Sequence, residues 1–176
     1  MTKSYNLIAR LMHWASAIVI FIMFGVGLWM VDLSYYSKWY QLAPHYHRSI
    51  GILLSAFILA RILWKFTNQS PEIEGKRYEI ILAKSAHALM YVMLGVIFIS
   101  GYLISTSDGR GIDVFNWFTV PSAGALFTEQ SDISGDIHFY TAVTLMVLVS
   151  LHVLAALKHH FIDKDDTLKK MLGASK

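Results

Sequence analysis

Long apolar runs separated by shorter polar stretches dominate the chain, over about 11–31, 46–66, 83–105 and 138–161. Each is near the ~20 residues that an α-helix needs to cross a bilayer core. The pattern therefore predicts an all-α integral membrane four-helix bundle, with 1–176 as a single membrane domain. The first run has no small-residue cleavage site after a short apolar core and reads as a span rather than a cleavable signal peptide. The polar segments differ from one another. LSYYSKWYQLAP (33–44) has the aromatic character of a membrane–water interface, and Pro44 is expected to mark the break before the second helix. TNQSPEIEGKRYE (67–79) is a mixed-charge loop with nothing that suggests catalysis. In the long segment from Thr106 to Ile137, residues Val114, Phe115, Trp117 and Phe118 predict a short interfacial helix ending before Pro121. The tail, IDKDDTLKKMLGASK (162–176), predicts a short amphipathic helix. Gly51, Ser55 and Ala56 in the second run and Gly95 and Gly101 in the third are points of close helix approach.

Composition agrees with the pattern: 55% of the 176 residues are hydrophobic and 15% charged, with a mean hydropathy of +0.47. The chain has no cysteine, which excludes thiolate-ligated haem, iron–sulfur clusters and disulfides. Its basic residues are lopsided. With the N-terminus inside, Lys3, Arg10, Arg61, Lys65, Lys76, Arg77, Lys84, Lys158, Lys164, Lys169, Lys170 and Lys176 fall on or near the inner side. Only Lys38, Arg48 and Arg110 fall outside. Orientation follows Lys and Arg, so both termini are expected inside. A basic rim against anionic lipid accounts for the net charge of +3 without a nucleic-acid partner.

The histidines change the picture from a generic membrane protein to a redox one. The last apolar run and its end hold four of the eight, at 138, 152, 159 and 160, and imidazole is costly in hydrocarbon without a partner or metal. His138 and His152 are fourteen residues apart, a rise of about 21 Å on a helix. Two heptads return both to one face of a left-handed bundle. One helix thus offers a ligand near each membrane face, as two stacked haems require if other helices supply the opposing imidazoles. By depth, an outer haem pairs His138 with His45 or His47, with His47 favoured because it lies further into its helix. An inner haem pairs His152 with His13 or His87, and depth does not choose between them. Arg61, fourteen residues after His47, either meets a haem propionate or snorkels to the inner headgroups.

Each residue also has a plainer reading. A lone intramembrane His is often packed or hydrogen-bonded between helices. His159 and His160 beside Lys158 read as a solvated pair at the inner interface, and the Met and Phe residues as packing or lipid-facing. The set is more specific than its members, because different helices populate each of two depths and one helix serves both.

The chain resembles the bacterial cytochrome b561 family, small four-helix membrane proteins with two b-type haems. The resemblance covers nearly the whole chain. It rests on LMHW (11–14), HRSIGI (47–52), AHALMY (86–91), the SDGRGIDVFNWFTVP loop, SLHVLAALKHHF (150–161) and KDDTLKKM (164–171). It implies that His13 and His152 hold the inner haem and His47 and His138 the outer one. His45 is then an extra histidine, and His87 a neighbour of the inner haem. It also implies the bacterial inner membrane as location and electron delivery to ubiquinone, with superoxide as an outer-face donor. On that reading His159 sits by a quinone carbonyl, and Trp117 is a candidate point of electron entry.

Charge argues against superoxide, because steering a small anion favours a positive entrance. The outer segments carry Asp32, Asp108, Asp113, Glu129, Asp132 and Asp136 against Lys38, Arg48 and Arg110. An acidic outer surface suits a protein redox partner, so an electron-transfer subunit anchoring a dehydrogenase or hydrogenase is the alternative. A haem-free histidine-relay transporter is disfavoured, since transporters break their helices at midplane sites whereas these histidines lie in uninterrupted runs near the two faces.

Overall fold

The computed structural model describes residues 4–72 and 75–174. Lys3 and Lys176, two of the basic residues that predict orientation, lie outside that range. Among the described residues, four helices are long and apolar enough to cross a membrane. They comprise α1 (Leu7–Val31), α2 (Trp39–Thr67), α3 (Arg77–Thr106) and α4 (Gln130–Lys158), the last running on into a π-turn over His159–Asp163. The expected tail helix is α5 (Thr167–Leu172). Local chemistry sets the starts. Asn6 caps α1 by accepting the Ala9 N–H at 2.8 Å, and Glu79 accepts the Lys76 N–H at 2.8 Å at the head of α3.

Pro44 does not break the chain. It lies inside α2, near enough to the start that only the bond to the Tyr40 carbonyl is forfeited, at an interface where water can satisfy that carbonyl.

The helices pack as two closely associated pairs, α1 with α2 and α3 with α4. Leu54 and Ile58 of α2, Met93 and Leu94 of α3 and Leu145 of α4 meet as the buried cluster between the pairs. Leu145 is seven residues from both His138 and His152, so this cluster sits between the two histidine levels. Outward-facing Leu59, Leu63, Val92, Ile99, Val147 and Leu154 remain exposed, as a lipid-facing surface requires.

The expected interfacial helix is absent. The segment instead forms an antiparallel hairpin, β1 (Ile112–Val114) and β2 (Phe118–Val120), with Ile112 opposite Val120 and Val114 opposite Phe118. Hydrophobicity suggested a helix, but β-branched Ile, Val and Thr favour strands. The reversal is made by Phe115 and Asn116, both at positive φ (48° and 58°), with Trp117 N–H bonded to the Val114 carbonyl at 2.8 Å. Val114 is fully buried. The Ser49 hydroxyl donates to the Asp113 carbonyl (3.2 Å) and accepts the Phe115 N–H (3.1 Å), pinning the hairpin to α2. Gln130 ties the start of α4 to the end of α3, accepting the Leu126 N–H at 2.6 Å and donating to the Leu103 carbonyl at 2.9 Å.

Candidate functional site

Each end of the bundle holds a cavity and a cluster of histidines. The hairpin-end cavity, about 360 Å³, is lined by His47 of α2 and His138 of α4 together with Gly51, Gly101, Arg48 and Asp108. The rings of His47 and His138 are 6.3 Å apart between centroids. The His138 Nδ1–H donates to the Ile97 carbonyl of α3 at 3.0 Å, which leaves its Nε2 lone pair free. The Nδ1 of His47 is buried with no hydrogen-bond partner among the described residues. Two glycines make room for these rings. A Cβ at Gly101 would stand 3.1 Å from His138 Cε1, and one at Gly27 would stand 3.4 Å from His47 Cε1. His45, the other outer candidate, does not line this cavity but stacks edge-on against Tyr46 at 5.6 Å.

The cavity at the end that carries both termini is larger, about 710 Å³, and is lined by His13, Arg61, His87 and Tyr91, with Tyr5 from the start of the chain and Thr167, Lys170 and Met171 from its end. His152 faces both inner candidates, its ring centroid 6.5 Å from that of His13 and 5.0 Å from that of His87. Two imidazoles on opposite sides of one metal, each with a bond of about 2.0–2.1 Å, have centroids about 6 Å apart. The His13–His152 and His47–His138 pairs meet that spacing, while His87–His152 is too close. His87 spends its Nδ1–H on the Ala83 carbonyl within its own helix, at 2.7 Å.

Arg61 does not snorkel. It points inward, donating to Ser16 Oγ and to His13 Nδ1, each at 2.8 Å, and its guanidinium lies 5.8 Å from the Tyr91 ring centroid. Ser16, which the sequence did not single out, is buried and donates to the His13 carbonyl at 2.9 Å.

The predicted solvated pair at 159 and 160 is not solvated. His159 Nδ1 lies 2.6 Å from Asp165 Oδ2 and 3.2 Å from Asp163 Oδ2, with only 17% of its side chain exposed. His160 Nδ1 is also buried. Lys158 bridges Glu79 of α3 (3.3 Å) and Asp163 (2.6 Å) beside them. Glu79, His159 and Asp163 have the donor set of a cation site, but the Lys158 ammonium already lies between the two carboxylates. Sequence reasoning passed over Glu79 and Asp165 as loop and tail charges. The sequence carries no signal for the Asp165 contact, because it depends on the chain reversal that follows His159.

Trp117 sits at the hairpin tip, 72% exposed, its ring 5.2 Å from that of Phe115, and lines neither cavity. Of the acidic residues at this end, only Asp108 lines the cavity, and Arg110 pairs with it. Arg48, bonded through Nε to the Pro44 carbonyl, is the cation left at the mouth.

Known proteins resemble the chain in sequence over nearly its whole length. A family model described as prokaryotic cytochrome b561 matches residues 4–174. The chain is 48% identical over 175 residues to cytochrome b561 homolog 2 of Escherichia coli (strain K12), covering 98% of this chain and 93% of that protein. It is 27% identical over 175 residues to the probable superoxide oxidase CybB of Yersinia pestis (98% and 97% covered). Identity to cytochrome b561 homolog 1 of E. coli is 23% over 170 residues (94% of each chain). Four apolar helices carrying histidines at both ends, matched over nearly the whole chain, establish that the protein belongs to the prokaryotic cytochrome b561 family of membrane cytochromes.

Proposed function

We propose that this protein is a di-haem cytochrome of the bacterial inner membrane that passes electrons from superoxide at its hairpin end to ubiquinone at the end carrying its termini. The observation that carries the reading is the pair of histidine couples with matching spacing, 6.3 and 6.5 Å, set fourteen residues apart along α4. When bound, b-type haem supplies reversible one-electron chemistry at each level. His47 and His138 would hold one haem and His13 and His152 the other. A further likeness to a protein named a probable superoxide oxidase supports the donor. The balanced reaction is 2 O2•− + ubiquinone + 2 H+ giving 2 O2 + ubiquinol.

The chain's own residues suit each half of that reaction. Arg48, with Asp108 neutralised by Arg110, makes the cavity mouth locally positive and answers the objection raised by the acidic loops as a whole. At the other end, a neutral ring that ligates metal through Nε2 carries its proton on Nδ1, and arginine cannot accept a proton there. Ligation by His13 in that mode obliges Arg61 to release it, and the freed guanidinium suits a haem propionate. His159, held by the Asp163 and Asp165 carboxylates beyond the end of α4, is the proposed proton donor to a quinone oxygen. The inward-facing basic residues favour this end as cytoplasmic.

Stopped-flow spectroscopy of the purified, oxidised protein mixed with superoxide tests the reading. Rapid appearance of reduced b-type bands, reversed on adding ubiquinone, is the expected result. Haems that stay oxidised with superoxide but respond to quinol would replace superoxide with a protein donor, as in an anchoring subunit of a dehydrogenase. A colourless protein would overturn the haem reading altogether.

A further inference from the structure

We propose that Asp165 is a positioning residue that fixes the tautomer and orientation of His159, through a device built from the π-turn at the end of α4. This inference rests on the reading of His159 as the partner of a quinone oxygen. Had α4 continued as a regular helix, residues 159 and 165 would stand nearly two turns apart along the axis. Instead the turn widens over His159–Asp163, Lys164 N–H reaches the His159 carbonyl, and Lys164 adopts a left-handed φ of 58°. That reversal brings Asp165 back beside His159. The Asp165 N–H bonds to the His159 carbonyl at 3.1 Å, and Oδ2 lies 2.6 Å from the ring Nδ1. Its other oxygen accepts the Thr167 N–H at 2.9 Å, so the carboxylate is held at both ends.

The consequence is chemical. A carboxylate only accepts, so Nδ1 of His159 carries a proton and Nε2 is the nitrogen free to exchange one. The charged groups facing the ring are Asp165, Asp163 and, from α3, Glu79, with Lys158 bridging the last two. One ammonium among three carboxylates leaves the surroundings negative, which suits a ring that donates from Nδ1. Burial pushes the Asp165 carboxyl up, but hydrogen bonds from Thr167 and His159 outweigh it and hold the carboxyl below its ordinary range. Asp165 therefore stays an anion throughout the working pH range. As the quinone takes its two electrons, the imidazolium gives its Nε2 proton to one quinone oxygen while solvent supplies the other proton. The ring is left neutral with its remaining proton on Nδ1, and water restores the proton on Nε2.

Asp165→Asn tests this, because asparagine keeps the shape and an acceptor but removes the charge. The haem-loaded protein in nanodiscs is reduced beforehand, and its reoxidation by a short-chain ubiquinone is followed from pH 5.5 to 9. The variant is expected to lower the reoxidation rate roughly tenfold, with the quinone concentration giving half the maximal rate within about twofold and haem content unchanged. Asp165→Glu should restore part of the profile. Nitrogen-15 spectra of the neutral His159 ring, assigned by difference from His159→Gln, should show a single Nδ1–H tautomer in the wild type and mixed tautomers in Asp165→Asn. A wild-type profile in Asp165→Asn, alongside a rate lost in His159→Gln, overturns this inference alone. Full activity in His159→Gln overturns the quinone role of His159 and this inference with it. An equal loss at every pH, accompanied by haem loss, would make Asp165 merely structural and overturn the assignment.

Discussion

Gly101 of α3 lies directly against His138 of α4, so close that a side chain of even one carbon would stand 3.1 Å from His138 Cε1 and 3.3 Å from its Nδ1. The same ring donates to Ile97 one turn earlier on α3. The third helix supplies no ligand in the proposed hairpin-end site, yet it sets where one ligand stands. Gly101→Val is expected to push His138 out of register with His47 and release the hairpin-end haem, halving haem per protein in a pyridine haemochrome assay. Overpacking of this kind costs about 1–3 kcal/mol, so the bundle itself should still fold.

The proposed ligand pairs should be separable by single substitutions. His47→Ala or His138→Ala is expected to remove one haem, and His13→Ala or His152→Ala the other, with each variant retaining about half the wild-type haem. His87→Ala should keep both, because the His87 ring is too near His152 for a metal to lie between them. Loss of haem in His87→Ala with retention in His13→Ala would reverse the assignment.

Arg61 donates to His13 and Ser16, and a positive charge beside a haem favours its reduced form. Arg61→Gln should lower the midpoint potential of the termini-end haem by roughly 60 mV, a tenfold change for a one-electron couple. Potentiometric titration should show the other midpoint unmoved.

The hairpin hangs on one hydroxyl. Ser49 is fully buried and serves both Asp113 and Phe115. Ser49→Ala strands a backbone donor and a backbone acceptor, at a cost of about 1–3 kcal/mol for an unsatisfied buried group. Amide exchange over 112–120 is expected to quicken while the four long helices stay protected.

Much of this was legible in the sequence, for identifiable reasons. Spans are visible because lipid exposes apolar residues on every outward face, and the heptad relation of His138 to His152 survives folding because α4 is uninterrupted between them. The hairpin was not legible. Phe115 and Asn116 adopt left-handed φ values that hydrophobicity does not encode, and Ser49, which anchors the turn, is more than sixty residues away in sequence. The choice between His13 and His87 turns on about an ångström and a half of ring spacing, well below anything that depth along a helix resolves. His159 was misread as solvated because its partner follows a chain reversal that only the π-turn makes.

The tail should respond to acid in a defined direction. Folding lowers the Asp165 carboxyl below its ordinary value through the bonds from Thr167 and His159. Its contribution is therefore complete above the unfolded value of about 3.9 and is lost as pH falls through the lower, folded one. Limited proteolysis over 163–172 is expected to be constant from pH 8 to 5 and to accelerate only below the ordinary aspartate range.

The cavity at the termini end is built from both extremes of the chain. Tyr5 and Asn6 line it from one side and Thr167, Lys170 and Met171 from the other, while Arg10 donates to the Leu172 carbonyl at 2.9 Å. The histidine couples at both levels are complete once α4 is in place, whereas the lining of this cavity also needs α5, which follows the last span. Assembly is thereby given an order, with the hairpin end finished when the fourth span packs and the opposite end sealed only when the segment after it folds back.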